Sequence, residues 1–504
     1  MTADSAREPS ALAARAADTH VVVVGGGIGG LIAARECAKV GMQVTLLEET
    51  DAVGGAIRRA ALDGVVVDAG AESFATRGGH VRALLADLGL TDRIVAPDAG
   101  GAWLAGIPGI GAAPLPVGGI LGIPANPFQE DVRRVIGWSG AWRAYLDRVR
   151  PPLTIGHQLS LGKLVASRMG AKVRDRLVAP VTTGVYSASP DDVDVDVAAP
   201  GLNAALTRVG SLSGAVGALR DAAQSAAKTP GAAVEGLSGG MSVLVDALVE
   251  DLHRLGAEVR TGVRVRSAQK TDAGWTVVGE IESDPDAGES DPDAGEDADD
   301  SVSFTADAVI VATAEAAARA LLTSSVPALA HAEPSSSPEI EVVTLLLDAP
   351  ALRPAPRGTG VLTVPGSHTA KALTHSTAKW GWVREAAGDR EIVRVSFGAQ
   401  GEPAATAGLD DDQAAELALR EASALLGVAL APGALLAAHR ARYVQSQPAS
   451  IIGSGERREA ARAALQAVPG LAAVGAWLAG TGLAQVIPDA KDEADRLRRT
   501  LLWE

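Results

Sequence analysis

One cysteine, Cys37, stands in a chain of 504 residues. No disulfide framework can form within the chain, which fits a reducing cytoplasm. Cys37 falls inside a predicted helix, where a small buried hydrophobe is its expected role. Aromatic residues are scarce at 3%, so the 47% hydrophobic content is mostly Ala, Val and Leu. The first nineteen residues are Ala-rich and polar without an apolar core, which excludes a secretory signal. The longest uncharged run, Ala99 to Gln129, carries Pro108, Pro114, Pro116, Pro124 and Pro127. Prolines inside a helix are too costly for that run to span a membrane, so it predicts an apolar loop wall, with a patch resting on a membrane surface as the alternative. Net charge is −16, which disfavours nucleic acid as a partner. No H-x-x-x-H pair, CxxC or serine nucleophile elbow is present. His368 and His375 read as core or surface residues, and no metal site is expected.

What is present begins with length, which predicts two or three domains. Much of the negative charge is local. Glu282 to Asp300 reads ESDPDAGESDPDAGEDADD, with ten acids, no base and a tandem heptad. Such a segment cannot bury enough apolar surface to order itself and predicts a disordered hairpin extension. It lacks the twelve-residue calcium-loop pattern with a closing Glu.

The strongest local pattern is VVVVGGGIGGLIAARECAKVGMQVTLLEE, Val21 to Glu49. Val21–Val24 reads as a buried strand, Leu31–Val40 as a helix ending at Gly41, and Gln43–Leu47 as a second strand. Gly25, Gly27 and Gly30 supply G-x-G-x-x-G within the run Gly25, Gly26, Gly27, Ile28, Gly29, Gly30. The first allows the tight turn, the second lets a pyrophosphate approach the backbone, and the third brings helix and strand together. The helix N-terminus offers N–H groups and a positive dipole end to the phosphates. Glu48 follows the last motif glycine by 18 residues and suits ribose hydroxyls, and with Glu49 beside it a 2′-phosphate is disfavoured. This unit predicts dinucleotide binding without separating FAD from NAD.

Four further elements bear on that choice. A Gly-Gly pair, Gly54 and Gly55, follows the second strand and leads through Ala56 to Arg58 and Arg59. VVVDAGAESF places Gly70, Ala71, Glu72 and Ser73 in a turn after a strand. VEGLSGGMSVLVDALVEDLHRLGAEVRTGVRVRSAQK reads as a turn, an amphipathic helix and a strand, and ADAVIVATA as a buried strand. AAVGAWLAGTGLAQVIPDAKDEADRL puts Gly480 and Gly482 before a helix starting at Leu483 and Ala484. Together these resemble the flavin-dependent amine oxidase and porphyrinogen oxidase superfamily. The resemblance implies FAD held by these elements. It also implies adenine contact at Val265, and a C-terminal helix start aimed at the flavin, where a positive dipole end stabilises the anionic reduced ring.

Ser160 to Asp196, with Pro180, Gly184, Val185 and Tyr186, is similar to a helical segment of the porphyrinogen oxidases in particular. APLPVGGILGIP resembles their Pro-Leu-Pro segment, and THSTAKW and VSFGAQG resemble substrate-domain strands. ARYVQSQPA puts Tyr443 where that family carries Trp. The implied architecture is α/β: a discontinuous Rossmann-like FAD-binding domain in three parts (18–80, 231–320 with 282–300 as insertion, 437–504), a helical substrate-access domain (81–230) and a mixed-sheet substrate domain (321–436). The implied activity is oxygen-dependent, cytoplasmic conversion of coproporphyrinogen III to coproporphyrin III in heme biosynthesis, with peroxide formed and the product handed to the next pathway enzyme. Protoporphyrinogen IX oxidation is one alternative, and an amine oxidase or desaturase another. The flavin carries the chemistry, so no conventional catalytic constellation is expected. Substrate propionates need cations, and Arg77 is the candidate. One departure stands out: relatives carry an arginine before the Pro-Leu-Pro segment, where this chain has GGAWLAG.

Overall fold

The computed structural model describes residues 7–150, 159–226, 234–281, 301–331, 337–444 and 450–503. The acidic insertion 282–300 lies outside the described residues.

Five parallel strands form one sheet in the order Glu258–Arg260, Gln43–Leu47, His20–Val24, Ala308–Val311, Leu471–Ala473. The run HVVVV sits at its centre because both faces of that strand are apolar. Val21 and Val23 point into one core with Leu31, Leu244 and Leu497. Val22 and Val24 point into the opposite core with Trp275, Leu321 and Leu465. A period of two therefore serves two layers at once, as a parallel strand buried on both faces requires. The three helices Ile28–Ala38, Ser242–Arg254 and Leu483–Trp503 cover the first face.

The strand expected to return after the Gly-Gly turn divides in two. Glu258–Arg260 joins the parallel sheet, pairing with Thr45–Leu47. Gly262 then adopts a φ of 70°, and Val263–Thr271 leaves for a separate antiparallel sheet with Gly274–Ile281 and Ser301–Ala306.

A second, seven-stranded mixed sheet runs Leu435–Val444, Glu339–Leu347, Glu391–Phe397, Ala372–His375, Gly360–Thr363, Ala102–Ile107, Gly111–Pro114. Helix Asp411–Leu426 covers one face, its start fixed by a capping box of Asp410 with Gln413. Ala102–Ile107 and Gly111–Pro114 come from the apolar, proline-bearing run, inside the stretch assigned above to the helical region. They join the sheet because Gly360–Thr363 offers an unpaired parallel edge. Of THSTAKW, only the first two residues are strand; Ser376–Lys379 turns into a short helix.

The segment from Ser160 is not one helix. Gly170, at φ 94°, stops Leu161–Met169, because a Cβ there would stand 2.7 Å from Arg143 Cγ. A wide turn over Arg174–Val178 re-aims the chain, and Pro180 sits in the first turn of Ala179–Tyr186. These helices pack with Glu130–Tyr145, Leu202–Val209 and Leu212–Ala226 around Leu164, Val165, Ile136 and Leu206. Asp147, fully buried, holds them together by accepting from Arg168 Nε at 2.5 Å and from the Leu212 N–H at 2.5 Å. Among the described residues no helix is long and apolar enough to cross a membrane.

Candidate active site

The glycine turn leaves the C-terminal edge of the first strand, where open α/β sheets bind ligands. The helix starts at Ile28, three residues before the sequence pattern suggested. Ile28, Gly29 and Gly30 are therefore its first turn, despite glycine's poor helix propensity. Packing explains the override. A Cβ on Gly30 would lie 2.0 Å from the Gly25 carbonyl oxygen, and one on Gly29 would lie 3.2 Å from Gly475 Cα. A Cβ on Gly27 would meet nothing within 4 Å, so that face of the turn is open. No acid stands in the helix's first turn, leaving its positive end uncompensated.

Glu48 closes the back of the turn. Its Oε2 accepts from the Gly26 N–H at 2.7 Å, and its Oε1 from the Thr50 N–H at 3.1 Å and hydroxyl at 2.8 Å. Glu49 points elsewhere and faces Arg264 at 3.6 Å. Val265 lies two residues beyond Val263, whose N–H donates to the Glu48 carbonyl at 2.9 Å. The second glycine pair docks on the first: the Gly54 N–H donates to the Gly26 carbonyl at 2.8 Å. Arg58 Nε folds back on the Gly55 carbonyl at 3.0 Å.

From Ala56 the contacts pass to the third glycine turn. The Ala71 N–H donates to the Ala56 carbonyl at 3.1 Å, and a Cβ on Gly70 would sit 2.0 Å from that same oxygen. The Tyr443 hydroxyl would lie 2.8 Å from that same Cβ; the hydroxyl is buried and has no hydrogen-bond partner among the described residues. Burial raises the Tyr443 phenol above its ordinary value. Ser73 ends the turn, half-buried, before Phe74.

Glu72 has a different role from the cofactor contact expected of it. Arg394 Nη1 donates to its Oε2 at 2.9 Å and Lys379 Nζ to its Oε1 at 2.5 Å. Arg394 also holds the Ala69 carbonyl at 2.9 Å. Burial alone would raise the Glu72 carboxyl, but the two cations hold it below the usual carboxylate range. Both come from the mixed sheet and its short helix, so Glu72 rivets the glycine turn to the second sheet. Asp68, just before this turn, accepts from the Met241 N–H at 2.8 Å at the start of Ser242–Arg254. Burial pushes its carboxyl up to about 7.

The C-terminal motif completes the edge. Gly480 and Gly482 have φ of 98° and 104°, and Leu483–Trp503 begins directly after them. A Cβ on Gly482 would meet nothing within 4 Å. The side chains of Leu483 and Ala484 pack on the core, leaving their amides at the helix start. Gly25–Gly30, Glu48, Gly54–Ala56, Gly70–Ala71 and Tyr443 thus form one chain of contacts, and Gly475, five residues before the C-terminal turn, lies against Gly29.

The helical region carries an apolar cleft of about 320 Å³. Leu115, Pro116, Val117 and Leu121 form one wall, and Val181 and Tyr186 the other. The proline-bearing run is therefore the expected loop wall. Burial raises the Tyr186 phenol, while Arg77 is near enough to draw it back. Arg77 itself is exposed and makes no hydrogen bond or ion pair among the described residues.

Several residues here were not singled out from the sequence. Arg394, Lys379 and Asp68 act through partners 322, 307 and 173 residues away. A surface cluster of Phe128, Trp138, Trp142 and Tyr145 was also passed over, although its i, i+4, i+7 spacing was readable. Phe128 and Trp142 stand 5.0 Å apart, Arg133 lies 4.2 Å over Trp138, and Trp138 and Trp142 are more than half exposed. Among the described residues no group of acids, histidines and cysteine could hold a metal ion.

The profile of the family described as flavin containing amine oxidoreductase matches residues 28–498. The coproporphyrinogen III oxidase of Mycobacterium tuberculosis is 31% identical over 92% of this chain and 93% of its own length. That of Bacillus subtilis is 26% identical over 94% and 96%. Among solved structures, a candidate protoporphyrinogen oxidase from Exiguobacterium superposes with a TM-score of 0.78 at 22% identity, covering 95% of this chain and 98% of that one. A putrescine oxidase follows the same fold with a TM-score of 0.62 at 16% identity, covering 96% and 99%. With a glycine turn at the edge of a parallel sheet and a match across nearly its whole length, the chain is a flavoprotein oxidoreductase and belongs to the flavin containing amine oxidoreductase family.

Proposed function

We propose that this protein is an FAD-dependent oxidase that converts coproporphyrinogen III to coproporphyrin III. Six electrons leave the substrate, and three O2 become three H2O2. The observation that carries the reading is the apolar cleft walled by the Leu115–Leu121 loop and Tyr186, with Arg77, four residues after the Gly70–Ser73 turn, near Tyr186. A tetrapyrrole carries both an apolar ring and carboxylates, and this cleft offers surfaces for each. The named relatives support the same substrate class.

The residues fit FAD. Gly27 and Gly482 leave open faces, Glu48 can accept from ribose hydroxyls beside its present donors, and the Tyr443 hydroxyl is a buried donor in want of an acceptor. Gly25–Gly30 would hold the pyrophosphate, Val265 the adenine side, and Gly54–Arg58, Gly70–Ser73 and Gly480–Ala484 the flavin side. FAD bound there supplies two-electron acceptance and reoxidation by dioxygen. The chain's own work is to bind, orient and exclude water. The apolar walls press the macrocycle flat, Arg77 draws a carboxylate toward Tyr186, and the Leu483–Trp503 helix start presents a positive end to developing negative charge.

An amine oxidase reading fits less well. A cationic amine would meet Arg77, while Glu72 is already occupied by Arg394 and Lys379. Protoporphyrinogen IX, with two carboxylates against four, is the second reading, favoured by the same apolar walls. Stopped-flow comparison of the two porphyrinogens tests the choice. The expected result is a higher kcat/KM for coproporphyrinogen III, porphyrin fluorescence rising in air, and three peroxides per porphyrin. Flavin reduction by putrescine but by neither porphyrinogen would overturn it. Released cofactor should have the mass of FAD.

A further inference from the structure

Lys371 lies immediately before strand Ala372–His375 and is fixed on both sides. Its N–H donates to the Ser396 carbonyl at 2.9 Å, and its carbonyl accepts the Thr363 hydroxyl at 3.0 Å. Its Nζ donates to the Ser187 hydroxyl at 2.6 Å. Ser187 directly follows Tyr186 and takes a left-handed turn with φ 55° at the end of Ala179–Tyr186. Its carbonyl accepts the Gln400 N–H at 2.8 Å, and Gln400 Oε1 is buried with no partner among the described residues. The helix carrying Tyr186 is pressed on the strand beside Lys371: a Cβ on Gly184 would stand 2.5 Å from Leu362 Cδ2.

The ammonium therefore sits in a mostly buried place with a neutral partner. Among the described residues no carboxylate lies within ion-pair distance of it. The nearest acid along this stretch, Glu421, accepts from the Ala370 N–H at 3.2 Å. A buried cation without an acid is costly, and burial alone draws Lys371 down to about 8. Arg77, close enough to Tyr186 to act on its phenol, likewise has no acid. Tyr186 lines the cleft, so two acid-free cations stand near one residue of the cleft wall: Arg77 through its charge and Lys371 through the adjoining Ser187.

Building on the proposed porphyrinogen reading, we propose that Lys371 is a substrate-carboxylate site, exchanging Ser187 for a propionate and forming with Arg77 a two-point clamp near Tyr186 that favours substrates with more than one carboxylate. Such a clamp discriminates by carboxylate number: a ring with all its acids esterified gains nothing from either cation.

The test uses the flavin-loaded enzyme and coproporphyrin III, with its tetramethyl ester as the control, binding being read from the porphyrin absorption shift. Lys371→Met is expected to weaken coproporphyrin III by about 10- to 100-fold, the loss of one charge-assisted contact, and the ester by less than about twofold. Lys371→Arg is expected to restore most of the affinity. Wild-type affinity for coproporphyrin III should fall as pH rises past about 8, while Lys371→Arg stays flat. Equal weakening of acid and ester, or no change in either, overturns the clamp. If Lys371→Met does not fold, Ser187→Ala frees the ammonium and should tighten coproporphyrin III; weaker binding there overturns it instead. Wild-type enzyme that binds coproporphyrin III selectively but does not oxidise its porphyrinogen would sink the proposed reaction and leave the clamp standing.

Discussion

Around the glycine edge, each buried charge described above has a partner, whereas near the cleft two cations have no acid. Glu48 is satisfied by the Gly26 and Thr50 amides, Glu72 by Arg394 and Lys379, and Asp68 by a helix-start amide. Near Tyr186, Arg77 and Lys371 stand without a carboxylate, Lys371 holding only the neutral Ser187 hydroxyl. The contrast teaches that the first region is finished by the protein, while the second waits for charge to arrive with a ligand. Removing a group from the first should cost stability and cofactor. Removing one from the second should cost substrate selectivity alone.

The largest expected effect tests the finished side. Gly30→Ala forces a Cβ to within 2.0 Å of the Gly25 backbone oxygen and 3.0 Å of the Ala312 Cβ. The variant should purify colourless, its flavin-to-protein ratio near zero by absorbance; full yellow occupancy would break the contrast. Next, Glu72→Gln leaves Arg394 and Lys379 buried without their acid. It should destabilise by about 3 kcal/mol, seen as a lower midpoint in chemical denaturation, whereas Arg77→Gln should leave that midpoint unmoved.

A smaller effect concerns pH. Burial holds Asp68 protonated up to about 7, so the folded state binds that proton more tightly than the unfolded chain. The stability this confers is complete below the ordinary carboxyl range and is lost as pH rises from about 4 through about 7. Glu391 behaves oppositely. Burial is overcome by hydrogen bonds from His375, Arg384 and Thr377, which hold it at about 2. Its contribution is present above the ordinary value and is lost as pH falls toward about 2. Asp68→Asn should therefore flatten the decline between pH 4 and 7, and Glu391→Gln should not. Thermal scans across that range decide between them. The smallest effect belongs to the exposed aromatic cluster: Trp138→Ala with Trp142→Ala should leave folding and flavin content intact. It should abolish any co-sedimentation with anionic vesicles, which is the measurement for a peripheral membrane contact.

Much of the glycine edge was legible because its causes are local. G-x-G-x-x-G is read from one βαβ unit, and steric contacts such as Gly30 with Gly25 span five residues. The helix boundary was misjudged for a nonlocal reason: Gly29 must lie against Gly475. Glu72 was assigned by resemblance, and its ion pairs had no local signal, since Arg394 and Lys379 arrive from another sheet. Lys371 had no motif at all. Its place against Ser187 follows from how two chain segments pack, and no periodicity in either reports that. Tyr443 was assigned by resemblance, and its orphaned hydroxyl is visible only once Gly70 has been folded against it.

The central sheet carries a last consequence, for the newborn chain. Val24 must wait while the ribosome adds 447 residues before Leu471 can complete the sheet beside Ala308–Val311. At roughly 5–20 residues per second that is an interval of roughly 20–90 seconds. Through it the central strand of the sheet has an unfinished neighbourhood. On the proposed flavin placement, a flavin pool present during synthesis would have nothing complete to bind until the final helix emerges. Loading with cofactor would then be a late event, and a stop codon only thirty residues early would leave the first motif intact without its C-terminal turn.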